Sequence, residues 1–217
     1  MIRSIRPIVA VLAGLVLGAC AAPPVKHYYT LIPPSDPASP GGDTATSSSI
    51  SSLPFAVSIQ PVRVPEQVDR LQIVVTDPQS TQVYPLDNSL WAGSLSDELR
   101  QALGTYLYND LGVRNVAVAQ VPENFPLWKI YLSIQRFESL YASRAVIDAT
   151  WSLVPVSQPR RTTLLCGGTA TVAVQSGMSA LVAGHQAALR ELASRMGAQL
   201  RHAQATPQTV PNGCVTK

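Results

Sequence analysis

Charge is scarce in this sequence. Asp, Glu, Lys and Arg supply 13% of 217 residues, against about 25% in an ordinary soluble domain, so apolar surface is in surplus and a partner surface is expected. Histidine is also scarce, at three residues, and cysteine likewise. No Gly-x-Ser-x-Gly elbow, phosphate-cradling Gly-rich loop or His-Glu-x-x-His pair is present, so the sequence offers no signature for those hydrolase, nucleotide-binding or zinc-protease chemistries. The longest charge-free apolar run, Ile8 to Leu17, is about half the ~20 residues a membrane-spanning helix needs. A strong charge of one sign is missing too. Sixteen Lys and Arg face 13 Asp and Glu, and Arg3 and Arg6 precede the apolar run. The remainder is nearly neutral, which gives no basis for binding nucleic acid.

What is present organises the chain from its first twenty residues. Arg3 and Arg6 form a positive start, Ile8–Leu17 an apolar centre, and Leu17-Gly18-Ala19-Cys20 a small-residue end. This is the layout of a secretory signal peptide. Leu-Gly-Ala-Cys resembles a bacterial lipobox, which implies cleavage before Cys20 and acylation of its thiol and new amine. More than one acyl chain anchors a protein stably, at about 0.8 kcal/mol per buried CH₂. Cys166 and Cys214 remain, in a chain expected to be exported to a disulfide-permissive compartment. We expect them to pair. Two free thiols, or zinc held together with His185 or His202, are the alternatives, and no Cys-x-x-Cys ligand pair favours zinc.

Composition then divides the chain. Residues 1–19 read as the signal peptide. Residues 20–54 read as a lipidated tether holding a short strand, His27-Tyr28-Tyr29-Thr30-Leu31, and a flexible Pro/Ser linker too poor in apolar residues to fold alone. Residues 55–205 read as the folded domain and 206–217 as a tail. Strands are expected around Val57–Val62, at Leu71–Val75 and at Thr81–Leu86, the last two a hairpin turned at Asp77-Pro78. Asp87-Asn88-Ser89 offers helix N-caps, and Trp91, Leu95, Leu99, Ala102, Leu103 and Tyr106 form one apolar helical stripe ended by Gly112. Val113–Gln120 reads as a strand. Trp128, Ile130, Leu132 and Ile134 alternate with polar neighbours, as do Ala145 to Leu153. A third run spans Thr162–Gln175, with Gly167-Gly168 as a bulge or bend. A long amphipathic helix follows, from Ser176 to about His202. The expected fold class is α/β (α+β): a mixed, mostly antiparallel sheet packed with two main amphipathic helices.

Little of this points to catalysis. His185 lies on the apolar stripe of the last helix, where a satisfied core histidine is the ordinary reading. The acidic residues are scattered, and Asp97-Glu98 reads as a solvated helix start favourable to the dipole. The three tryptophans fall on core patterns. No cofactor is expected, and an enzyme is the weaker hypothesis.

Four segments resemble the PqiC-like (YmbA) family of ABC-transport auxiliary lipoproteins. They are Tyr28-Tyr29-Thr30-Leu31; Val62-x-Val64-Pro65 followed by Val68-Asp69-Arg70-Leu71-Gln72-Ile73-Val74; Leu90-Trp91-Ala92 with Leu95; and the helix around Ala180-Leu181-Val182. Leu71 stands where that family has Pro, Gly93-Ser94 where it has Glu-Pro, and His185 where Ser is common. The resemblance implies an outer-membrane lipoprotein facing the periplasm, a non-catalytic subunit of a lipid-transport system whose MCE-domain protein bridges the membranes. It also makes a homo-oligomeric ring an expectation. Ala21 lacks the Asp that marks inner-membrane retention. Asp69, Arg70, Gln72 and Trp91 become the candidate partner or self-assembly site; an ordinary turn ion pair is the plain alternative for Asp69 and Arg70. A pilot lipoprotein for another outer-membrane complex, and a periplasmic envelope enzyme, are the other readings.

Overall fold

The computed structural model describes residues 24–34, 53–77, 79–206 and 209–216. Cys20 and most of the expected linker lie outside them. The described chain builds one eight-stranded mixed sheet with two helices on one face. Its elements are β1 (His27–Tyr29), β2 (Ala56–Ile59), β3 (Gln72–Thr76), β4 (Val83–Trp91), α1 (Leu95–Leu111), β5 (Leu127–Leu140), β6 (Arg144–Val156), β7 (Leu164–Ala173), α2 (Met178–Ala205) and β8 (Cys214–Thr216).

The strand order is β1-β4-β3-β5-β6-β7-β8, and β2 pairs with β5 off this path. β5, β6 and β7 form the antiparallel meander expected from their alternation. Parallel pairing enters at β1–β4, β2–β5 and β3–β5. One edge of β5 therefore serves two partners. β2 takes residues Leu127–Ile130, and β3 meets only Leu140, with an Arg63–Ser133 bridge between them.

Period-two burial selects the face. Trp128, Ile130, Leu132 and Ile134 point to the helices, as do Ala145, Ile147, Ala149, Trp151 and Leu153. A register shift between Ile134 and Arg136 resets the alternation, so Phe137 and Ser139 take the inward positions beyond it. One extra residue in a strand has this effect. Tryptophan indoles fix the long helix to the sheet. Trp128 Nε1 donates to Gln204 Oε1 at 3.1 Å, and Trp151 Nε1 donates to Gln199 Oε1 at 2.8 Å. Buried aromatic rings carry a large apolar area, and these two also satisfy their polar edge.

Four local expectations are corrected. Asp87-Asn88-Ser89 does not cap a helix. It continues β4, and the cap is Ser94, whose hydroxyl accepts from Asp97 N at 3.3 Å. Trp91 accordingly ends a strand and does not join the helical stripe; its spacing of four from Leu95 is coincidental. Val113–Gln120 is no strand: it holds one parallel bridge at Asn115 and a 3₁₀ turn over Val118–Gln120. Gly167-Gly168 makes no bulge, because β6 and β7 pair without interruption from Arg144–Ala173 to Leu153–Leu164. A Cβ on Gly168 would stand 2.9 Å from Arg195 Nη1 and 3.5 Å from the Trp151 ring, so the glycine makes room for a neighbouring indole and the helix above it. Gly112 does end α1 in the left-handed conformation, at φ 68°.

The C-terminal tail returns to the sheet. β8 pairs with the start of β7, and a disulfide joins Cys166 to Cys214 at the Cα–Cα distance of 4.1 Å. The zinc and free-thiol alternatives are thereby set aside.

Candidate docking surface and anchor junction

The first contacts of the described chain fix where the N-terminal segment meets the body. β1 lies parallel to β4, with His27 opposite Ser89 and Tyr29 opposite Trp91. Beyond it the chain turns inward and Leu31 is fully buried. Glu98, in the first turn of α1, holds this turn: Thr30 Oγ1 donates to its Oε2 at 2.6 Å and Leu31 N at 2.8 Å. From the other helix, Gln186 Nε2 donates to Thr30 O at 3.0 Å. Glu98 is 4% exposed, which corrects its reading as a solvated residue. The neighbouring Asp97 is exposed and paired with Arg100 at 2.9 Å. That guanidinium, then the Ser94 hydroxyl, hold its carboxyl below the usual range. Two adjacent carboxylates thus serve different purposes, and sequence spacing gives no means of telling which is buried. Gln186 was likewise missed, since a Gln on the edge of a helical stripe carries no signal.

The C-terminal end of β1, the start of β3 and the end of β4 meet at one corner. Ala92 N donates to Tyr29 O and Trp91 N to Leu71 O, each at 2.7 Å, and Gln72 pairs with Leu90. Before this corner, Val68 plugs the Glu66–Arg70 turn into the core, with Val68 N and Asp69 N both donating to Pro65 O. Asp69 and Arg70 are exposed and make no ion pair with each other. Leu71 is half exposed beside them and Gln72 is half buried. Of the four residues predicted as a contact site, Asp69, Arg70 and Gln72 therefore share an accessible corner. Trp91 does not belong to that surface. It is 2% exposed, because as the last residue of β4 it turns into the core, and it supports the corner from below.

Under Trp91 lies an aromatic stack. His185 lies flat on Phe137, centroids 4.1 Å apart, and Trp91 meets both edge-on. Ser139 and His185 Nε2 share a hydrogen bond of 2.8 Å, while Nδ1 has no partner. Burial lowers the His185 pKa to about 3, so the ring is neutral. This is a core histidine with no route to solvent.

The face of the sheet away from the helices carries no covering element among the described residues. One cross-strand row on it runs Tyr131–Ser152–Leu165–Val215, in register over four strands. Tyr131, Leu165 and Val215 are each about half exposed. Beside them Arg63, Tyr131, Ser133, Thr150, Ser152 and Leu165 line a shallow groove of about 250 Å³. The row could have been found from the outward positions of the alternating strands, but only once their register was known. Among the described residues there is no group of three or more His, Cys, Asp or Glu able to hold a metal, and no helix is long and apolar enough to cross a membrane.

Solved structures share this architecture. One uncharacterised protein aligns over 82% of this chain and 99% of its own, at 17% identity and a TM-score of 0.57. A protein from Xanthomonas campestris of the family DUF330 aligns over 71% of this chain and 89% of its own, at 19% identity and a TM-score of 0.55. At such identities these likenesses speak for the fold alone. No curated protein matches the chain. A family model does: residues 29–197, from the edge strand that Glu98 locks down to the last turns of α2, match that of the ABC-type transport auxiliary lipoprotein component. With the match extending over most of the sequence, the chain belongs to that family.

Proposed function

We propose that the protein is a non-catalytic docking subunit, anchored through Cys20 to the periplasmic face of the outer membrane. It serves an ABC-type lipid-transport system by holding that system's periplasm-spanning MCE-domain protein at the outer membrane and so maintaining the envelope. The observation that carries this reading is the junction at Glu98. A tether that begins just before β1 is locked by both helices, while the polar corner at Asp69, Arg70 and Gln72 and the open sheet face remain available. Such an arrangement supports the reading of an anchored scaffold. The family membership supports the association with an ABC-type transporter. A ring of identical subunits, each using the same corner, is the assembly the reading favours.

The test is affinity purification of the tagged full-length protein from gently solubilised membranes, with co-purifying proteins identified by mass spectrometry. Recovery of an MCE-domain protein together with a permease and ATPase is expected. Recovery of a secretin or another outer-membrane barrel in their place overturns the transport reading in favour of a pilot role. Cys20→Ser is expected to release the protein into the soluble periplasmic fraction, and its persistence in the membrane fraction would refute the anchor.

A further inference from the structure

The β3–β4 hairpin extends beyond the packed body. Of the nine residues of β4 only Leu90 and Trp91, at its far end, are buried, whereas Val83, Tyr84, Pro85, Asp87 and Asn88 are exposed. The tip is poor in charge. From Gln79 to Leu86 the sequence is Gln-Ser-Thr-Gln-Val-Tyr-Pro-Leu; of the two flanking carboxylates, Asp77 in the turn is engaged by Gln79 N and Ser80 Oγ, and Asp87 is exposed. Two large apolar side chains stand out from it, Val83 at 46% and Tyr84 at 45% exposed. They lie on opposite faces of the strand, as consecutive strand residues must, so packing against one neighbouring element cannot cover both.

The parallel pairing of β1 with β4 gives this hairpin a direction. Upstream of His27 the chain heads the same way as β4 upstream of Ser89, toward Val83. From Ser89 back to Val83 is about 20 Å along the strand, at about 3.4 Å per residue. Cys20 precedes His27 by seven residues, a reach of at most about 25 Å, and precedes Pro24 by four, at most about 14 Å. Fully extended, the chain from His27 back to Cys20 is long enough to reach the level of the hairpin tip. Along the way Val25 and Tyr28 are also exposed, at 73% and 64%.

We infer that the tip of the β3–β4 hairpin rests on the bilayer surface, with Tyr84 and Val83 at the headgroup–acyl boundary, as a second contact beside the lipid anchor. The occupant of this patch is a phospholipid surface and not a protein. A tyrosine presents an apolar ring and a polar hydroxyl to an interface that is wet on one side and oily on the other. Two contacts fix an orientation that a flexible tether alone leaves free. The corner at Asp69, Arg70 and Gln72 lies at the opposite end of the hairpin and is held away from the membrane. The inference rests on acylation of Cys20, the anchor proposed above.

The test uses the full-length acylated protein in vesicles of phosphatidylethanolamine and phosphatidylglycerol. The native cysteines are acylated or bridged, so one introduced thiol takes a label uniquely. Tyr84→Cys and, as its counterpart at the corner, Gln67→Cys each receive an environment-sensitive fluorophore, and nitroxide-bearing lipid is the quencher. Gln82→Cys repeats the measurement at the tip if Tyr84→Cys does not fold. Flotation of the vesicles reports the anchor separately. Loss of most of the fluorescence at position 84 or 82, with little loss at 67, is expected. Weak quenching at the tip in protein that floats, or stronger quenching at 67, overturns the inference and leaves the anchor intact. Protein that fails to float overturns the anchor, and the hairpin contact with it.

Discussion

Replacing Glu98 with alanine tests the junction on which the anchored scaffold depends. The carboxylate is nearly inaccessible and accepts from the Thr30 hydroxyl and the Leu31 backbone N–H. Thr30 can turn its hydroxyl toward water, but the Leu31 N–H bond is buried and finds no substitute. An orphaned buried donor costs about 1–3 kcal/mol, and the lost favourable charge at the helix N-terminus adds about 0.3–1 kcal/mol. The void left by the side chain falls beside Leu31, which has no exposed surface. A total near 3 kcal/mol is expected for Glu98→Ala. With a urea m-value of about 1–3 kcal/mol/M, the midpoint falls by about 1–3 M. Glu98→Gln keeps one acceptor oxygen and loses the charge, so it should fall between wild type and alanine. Amide exchange adds a spatial readout, because the Leu31 and Ala92 amides should lose protection before the β5–β7 amides do. A Glu98→Ala protein within about 0.5 kcal/mol of wild type, the range of a bland surface substitution, would sink the argument, for the carboxylate would then be solvated after all.

Four further outcomes are expected. Stability should fall as the pH drops below 6.5, since the unfolded chain takes up a proton at His185 that the folded chain, with its pKa lowered to about 3, refuses; between pH 8 and pH 5 the loss is about 2 kcal/mol at 1.36 kcal/mol per unit, read as a urea midpoint, and a His185→Phe protein with an unchanged pH profile would refute it. Replacing Cys166 and Cys214 together by alanine opens a loop spanning 48 residues, and should cost about 4 kcal/mol on the chain-entropy model; calorimetry showing an unshifted Tm would contradict this. Gly184→Ala should destabilise by about 1–3 kcal/mol from overpacking, despite alanine's better helix propensity, because its Cβ would sit 2.2 Å from Val174 Cγ1 and 3.2 Å from Ala145 Cβ; a more stable variant would show that α2 can lift at no cost. Arg70→Glu should abolish self-assembly in light scattering while leaving the circular dichroism spectrum intact, and unchanged assembly removes the corner from the proposed interface.

The sheet's centre was legible because burial there is simple. Residues from Trp128 to Ile134 alternate strictly, and those from Ala145 to Leu153 do so but for the buried Val146. The long stripe of α2 was legible for the same reason. Errors arose where local chemistry and tertiary contacts disagree. Asp87-Asn88-Ser89 has good capping residues, yet pairing with β1 and β3 keeps it extended to Trp91. Gly167-Gly168 looks like a break, but Gly168 makes room for Trp151 and α2, which approach from distant sequence. The exposure of the candidate residues was partly legible: Asp69 and Arg70 are exposed, as a polar turn should be, whereas Trp91 is not. The role of Glu98 was invisible, since its partners lie 67 and 68 residues away.

The parallel sense of β1 and β4 has a mechanical consequence. A pull on Cys20 reaches β1 along its own axis, toward its N-terminus, while the body holds β4 from its Trp91 end. The two strands are then drawn in opposite directions, and the bonds between them are loaded together instead of peeling one after another. Glu98 and Gln186 grip Thr30 and Leu31 behind the strand, like a knot behind a threaded cord. A three-residue strand held in this way resists a pull along its axis better than a strand of the same length peeled from its end.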